Sequence, residues 1–372
     1  MNKADKHNGG RAPLLHIAVA KRGSMPWYKA WAIRGGAILG AFLFMAIVSI
    51  VLTGQNPLKI YSTIFVGAFG YLGRIWTLFY DTSILLCIAL ALAPAFKMRF
   101  WNIGAEGQVL MGGWGAVLCM LFLGGKVPNA LLILIMLLAA MLTGAIWGLI
   151  PALFKAFWGT NETLFTLMMN YVGICIVDYT IQVLFPKGTG SMGIVNADSR
   201  AGWLPQLGTN RYLLSILIIL SFMITMYIYL KYSKHGYEIA VVGESENTAR
   251  YIGIDVKKVI LRTMALSGAL CGITGFLLVS GYDHSISTNT VGGRGFTAIM
   301  VCWLAKFNPV VMFFASFLIC FLEKGAGQVA NDCGIDASYA DILTGIILFF
   351  IIGCEFFINY RLHFCKRHKE EA

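Results

Sequence analysis

VPNALLILIMLLAAMLTGAIWGLIPALF, Val127–Phe154, runs for 28 residues without a charge. Crossing the ~30 Å hydrocarbon layer of a bilayer takes roughly 20 apolar residues at ~1.5 Å each, so this stretch is long enough to span one. Gly35–Leu58, Tyr212–Leu230 and Thr263–Tyr282 are also uncharged. Of 372 residues, 58% are hydrophobic and 13% charged, against about a quarter charged in a soluble domain. A β-barrel would show short alternating segments instead. The predicted fold class is therefore all-α: a polytopic membrane protein.

Working outward, the sequence predicts ten crossings, near 35–53, 76–96, 107–124, 128–150, 164–185, 212–231, 259–281, 294–305, 308–325 and 338–360. Some are broken or re-entrant, since 294–305 is short and is followed by Asn308-Pro309. With the N-terminus inside, 21 of the 29 basic residues fall on one side, which the positive-inside rule makes cytoplasmic for both termini. The net charge of +11 is thus explained by topology, and no nucleic-acid partner is implied. The expected organisation is a basic segment at 1–34, a membrane domain at 35–360 and a basic tail at 361–372. Within the membrane domain, an inner loop covers about 231–258 and a Gly-, Ser- and Pro-rich outer loop about 186–211. The polar N-terminal stretch is too long for a cleavable signal, and the first apolar run is a full span. The nine cysteines are scattered without a CxxC and read as small packing residues. His363, Cys365 and His368 read as a solvated basic tail rather than metal ligands, so no metal or cofactor is expected.

Four stretches carry polar chemistry. FWNIGAEGQ, Phe100–Gln108, places Asn102, Glu106 and Gln108 between two apolar runs and predicts a turn at Gly104 with re-entry through Gly107. A carboxylate at the bilayer centre costs ~2.5–3.5 kcal/mol on insertion scales. Glu106 must therefore face a polar path, a partner such as Arg99, or the interface; alternatively, Asn102 and Glu106 cap the turn. GTNETLFTLMMNYV, Gly159–Val172, offers Thr160 or Asn161 as an N-cap. It also lines up Thr163, Thr166, Asn170 and Gly173 on one helix face, with Asp178 nearby. That face serves either helix packing or a translocation path.

In the inner loop, Ser245 can cap a short helix containing Glu246, Asn247, Ala249, Arg250, Tyr251 and Ile252, which Gly253 ends. A helix this short needs something to pack on. In GGRGFTAIMVCWLAKFNP, Gly292–Pro309, the glycines permit a turn inside the membrane. Arg294 reads as a snorkelling residue. Phe296 and Trp303 read either as packing or as stacking surfaces for a flat solute.

Together and in this order, these stretches resemble the permease subunits of bacterial ABC importers. The resemblance is to the branched-chain amino acid/ribose/simple-sugar superfamily, and within it to the nucleoside branch served by basic-membrane-lipoprotein binding proteins. WNIGAEGQ (101–108), GTNETLFTLMMNY (159–171), VGESENTARYIGI (242–254) and GRGFTAIMVCWLAKFNP (293–309) carry it. Departures fall at Trp101, Ser245–Asn247 and Ala305-Lys306.

The resemblance implies a bacterial inner-membrane subunit that is not itself an enzyme. Glu244–Ile252 would form a coupling helix for a partner ATPase. Asn102, Glu106, Gln108, Thr166, Asn170 and Phe296 would line the translocation path. Expected partners are ABC ATPase subunits, a second permease subunit and an extracytoplasmic substrate-binding lipoprotein. The absence of GxxxxGK[ST] fits ATP hydrolysis on another chain. A nucleoside is the expected solute, with a simple sugar or vitamin as the alternative. A further alternative is an ATPase-independent carrier or channel, in which Glu106 or Asp178 would be an ion site.

Overall fold

The computed structural model describes residues 15–21, 26–185, 190–208, 210–334, 336 and 338–366. In chain order these form β1 (Leu15–Lys21), α1 (Trp27–Thr53), α2 (Pro57–Phe69), α3 (Leu72–Lys97), α4 (Ala105–Leu123) and α5 (Asn129–Trp158). There follow α6 (Glu162–Leu184), α7 (Leu213–Tyr232), α8 (Lys234–Glu244), α9 (Glu246–Tyr251) and α10 (Val256–Leu278), which runs into a π-turn at Val279–Asp283. The chain closes with α11 (Arg294–Leu304), α12 (Pro309–Cys333), α13 (Ser338–Asn359) and β2 (Tyr360–Lys366). His368 lies outside the described residues.

Among the described residues, nine helices are long and apolar enough to cross a membrane. The tenth expected crossing takes another form. At ~1.5 Å per residue, the 11 residues of α11 cover about half a bilayer. They run parallel to the second half of α3. Arg294 meets Asp81 at 3.1 Å, the Cys302 thiol lies 3.1 Å from the Ala89 carbonyl, and the Trp303 and Phe96 rings are 6.0 Å apart. Residues 284–293, which precede it, are non-helical chain, turning at Gly292 and Gly293 with φ of 64° and 77°.

The chain forms two compact units. In the unit of Met1–Ile64 and Gly325–Ala372, α1 packs on α13. The Phe350 ring covers Gly40, and the Ser49 and Tyr339 hydroxyls lie 2.7 Å apart. β1 and β2 pair antiparallel, Ile17 opposite Phe364 and Val19 opposite Leu362.

In the unit of Phe65–Lys324, α10 is the central strut, packed against α3, α4 and α5. Small residues allow this closeness. A Cβ on Gly272 would collide with the Ala140 carbonyl of α5, and one on Gly268 with the Gly144 carbonyl. Without a hydrophobic drive between helices in lipid, such backbone approach is a main source of packing energy. The segment 190–208 folds over the far end of α10. Val195 donates to the His284 carbonyl at 2.8 Å, Leu204 to that of Ser280 at 2.9 Å, and Trp203 stacks on His284 at 3.7 Å.

Gly272→Val should destabilise the chain by about 1–3 kcal/mol or more, because the obstructing atoms are backbone. Gly345→Ala, where a Cβ meets nothing within 4 Å, should be neutral. Thermal unfolding of the detergent-solubilised chain distinguishes the two.

Candidate functional site

The first four N–H groups of any helix lack an intrahelical acceptor, and α4 begins inside the bundle. Its start is satisfied by side chains. Asn102 Oδ1 accepts from Gly104 N at 3.0 Å and from Gln108 Nε2 at 3.2 Å. Asn102 Nδ2 donates to Gln108 Oε1 at 3.3 Å and to Ser267 Oγ of α10 at 3.4 Å. From α6, Thr166 Oγ1 accepts from Ile103 N at 3.1 Å. Asn170 Oδ1 accepts from Gly107 N at 2.8 Å, and its Nδ2 donates to the Ile103 carbonyl at 2.9 Å. The polar face of α6 thus reads the backbone of 103–107. Asn161 caps α6 by accepting from Thr163 and Leu164, and Glu162 pairs with Lys155 at 2.8 Å.

Asn102, Gln108, Thr166 and Asn170 are 0–3% exposed, with their bonding capacity directed at the fold, so in this conformation they face no open path. The chain turns at Gly104 and re-enters as α4 at Ala105, and Gly107 is part of that helix. It lies in the first turn of α4, where a Cβ would stand 2.9 Å from Asn170 Oδ1, and a larger residue would push α6 away. Asp178 stays apart from this group and accepts from Gln182 at 2.7 Å.

Glu106 reaches across to α11. Its two carboxylate oxygens accept from Gly293 N and Gly295 N, each at 2.8 Å. A carboxylate on α4 therefore caps the positive end of α11, a charge-assisted arrangement. Gly295 is needed for this, since a Cβ there would lie 2.7 Å from the carboxylate. The partner of Glu106 is this backbone, not Arg99. Arg294 does not snorkel: it pairs with Asp81 Oδ1 at 3.1 Å, and Lys324 Nζ lies 2.6 Å from Asp81 Oδ2. Trp303 stacks on Trp101 at 5.3 Å, while Phe296 on α11 remains 43% exposed.

The chain between α7 and α10 makes a capped elbow. Ser233 accepts from Gly236 N to cap α8, and Ser245 accepts from Thr248 N at 3.2 Å to cap α9. Gly243 of α8 lies against the Lys97 carbonyl at the end of α3. Glu238 meets Arg262 of α10 at 2.6 Å. Ala249, expected to face a partner, points inward and is fully buried among Ala95, Phe100, Ala152 and Ile239. Glu244, Glu246, Asn247, Arg250, Tyr251 and Ile252 are exposed, Tyr251 at 93%. Arg250 and Glu246 pair at 3.4 Å across one turn.

Sequence reasoning missed Asp81, Lys324, Ser267 and the Glu238–Arg262 pair. Asp81 carried a readable signal, a carboxylate well inside an apolar helix. Its partners, 213 residues away at Arg294 and further on at Lys324, carried none.

Nine membrane-length helices among the described residues, an α4 whose start is capped from inside the bundle and a half-length α11 define a polytopic helical membrane protein. Residues 74–352 match the family described as branched-chain amino acid transport system, permease component, and the chain belongs to that family. It is a multi-pass permease component of an ABC transport system. It is similar to the nucleoside ABC transporter permease protein NupB of Lactococcus lactis subsp. cremoris, at 30% identity over 91% of this chain and 93% of that one. Guanosine ABC transporter permease protein NupP of Bacillus subtilis is 28% identical over 86% and 91% of the two chains. Glucose ABC transporter permease protein TsgB13 of Haloferax volcanii is 27% identical over 90% of each.

Removing the Glu106 cap by Glu106→Ala leaves the N–H groups of Gly293 and Gly295, at the start of α11, without acceptors, at about 1–3 kcal/mol each when buried. A lowered unfolding temperature together with faster thiol labelling of Cys302 should result. Glu106→Gln keeps one acceptor oxygen and should fall between. Arg262 holds the Glu238 carboxyl below its ordinary range. That stabilisation is fully present above the unfolded value of about 4.3 and is lost as pH falls through the native one. The unfolding-temperature gap between wild type and Glu238→Gln should therefore close on acidification from about pH 6 to 3.

Proposed function

We propose that this chain is the permease subunit of an ATP-driven nucleoside importer in a bacterial cytoplasmic membrane. Its α9 is the handle through which a separate ATPase moves it. One observation carries this reading: α9 presents Arg250, Tyr251 and Ile252 outward while burying Ala249 in the body. A six-residue helix has no stability of its own. Capped and packed on the ends of α3, α5 and α10, it can transmit a push as a rigid element. The chain has no P-loop to hold ATP, so the motor is a second polypeptide, and a substrate-binding lipoprotein serves the opposite face.

The lopsided distribution of basic residues supports placing the α8–α9 end in the cytoplasm. A second permease subunit completes the translocation path, with Phe296 among the residues facing it. The nucleoside assignment is supported by the names of NupB and NupP; uptake of a simple sugar in place of a nucleoside would redirect it toward the substrate of TsgB13. Alternating access follows if ATP binding favours one of two states of the assembly.

The test is co-purification and ATP-dependent uptake by the assembled importer. Arg250→Glu combined with Tyr251→Asp alters exposed side chains, so the chain should fold normally yet lose ATPase association at least about tenfold, as interface hot spots do. Undiminished association and uptake in that variant would refute the coupling role. Ala249→Leu should instead loosen α9 from the body, detectable as protease sensitivity near residues 245–253.

A further inference from the structure

A cavity of about 380 Å³ opens in the larger unit at the end opposite α9, lined by Tyr80, Asp81, Tyr282, Asp283, Asn289 and Arg294 together with the hydroxyls of Ser285, Ser287 and Thr290. We infer that it is a binding site within the permease itself for a neutral, polyhydroxylated ring solute. This deepens the nucleoside reading and rests on it for the identity of the solute. Its volume lies within the ~300–1,000 Å³ of small-molecule sites.

The lining is polar where the surrounding helices are apolar, and its groups divide into two kinds. Asp81 is engaged already, held by Arg294 at 3.1 Å and Lys324 at 2.6 Å, and serves as a fixed wall. Asp283 accepts no hydrogen bond among the described residues, so its carboxylate is available to vicinal hydroxyls. It ends the π-turn Val279–Asp283, and such turns recur at functional sites because the extra residue redirects the side chains that follow.

Beside it stands an aromatic wall. The Tyr80, Tyr212 and Tyr282 rings lie 5.4–5.6 Å apart, and Arg211 covers Tyr212 and Tyr282 at 5.0 and 4.8 Å. A ring solute can therefore stack against tyrosine while its hydroxyls meet Asp283 and Asn289. Among the charged side chains of the lining, the carboxylates of Asp81 and Asp283 outnumber the one cation, Arg294, so an anionic solute would add to an excess of negative charge at the wall. Arg294 is also the first residue of α11, whose N-terminus Glu106 holds, so a bound solute touches the half-helix directly.

The test is saturation-transfer NMR on the full chain in nanodiscs, with inosine, inosine 5′-monophosphate, D-ribose and D-glucose as probes. Inosine should bind and its monophosphate should not. Asp283→Asn and Asn289→Ala should each weaken inosine about tenfold or less steeply in the second case, because a hydrogen bond to a charged group is worth more than a neutral one. Asn289 is exposed on its loop, so its replacement leaves folding intact; thermal unfolding checks both variants. Unchanged inosine affinity in both, or equal binding of the monophosphate, overturns the site. If D-glucose or D-ribose binds in an Asp283-dependent way and inosine does not, the site stands and the nucleoside identity fails. If the assembled importer takes up inosine while no probe binds this chain, the site fails and the importer reading stands.

Discussion

Free backbone N–H groups at a helix start have no water to turn to inside a membrane bundle, and much of the larger unit is arranged around that constraint. Two helices, α4 and α11, begin at depth. Thr166 and Asn170 from α6 serve the backbone of 103–107, and Asn102 and Gln108 bond each other and Ser267. Glu106 on α4 serves α11. Four helices, α4, α6, α10 and α11, are thereby tied together, with the Glu106 carboxylate joining α4 to α11.

That arrangement links the two ends of the molecule. The elbow of α8 and α9 packs on the segment 95–100, which leads within a few residues to Asn102 and then to Glu106. Beyond Glu106 lies α11, whose first side chain pairs with Asp81 beside the polar cavity. The physical path from the exposed Tyr251 to the cavity is thus a chain of packed and hydrogen-bonded groups. Between the two ends, the glycines of α10 bring its backbone directly against the backbones of α4 and α5, with little room for side chains to repack.

Much of this was legible in advance. Long uncharged runs announce their helices because lipid demands about twenty apolar residues per crossing. The Ser245 and Asn161 caps are short-range chemistry and fall where the residues predict, and the small polar face of α6 follows from helical spacing alone. Other features escaped. α2 is too short to register as a span. The β1–β2 ribbon alternates apolar residues at 15, 17 and 19 and at 360, 362 and 364, but pairs segments at opposite ends of the chain. Glycine 107 read only as a point of re-entry because its neighbour on α6 was invisible, and Arg294 read as interfacial because its counter-ion sits on α3.

By itself, the sequence determined the class of molecule, its nine long helices among the described residues, the local caps and the family, since each depends on composition or on residues within a few turns of one another. Only the tertiary structure decided which polar side chains are spent on the fold and which remain available. Asn102, Gln108, Thr166 and Asn170 are committed to the fold, whereas Asp283 lines the polar cavity. That distinction turns on partners brought together from distant parts of the chain, and a buried polar group takes its role from the atom it faces rather than from its neighbours in sequence.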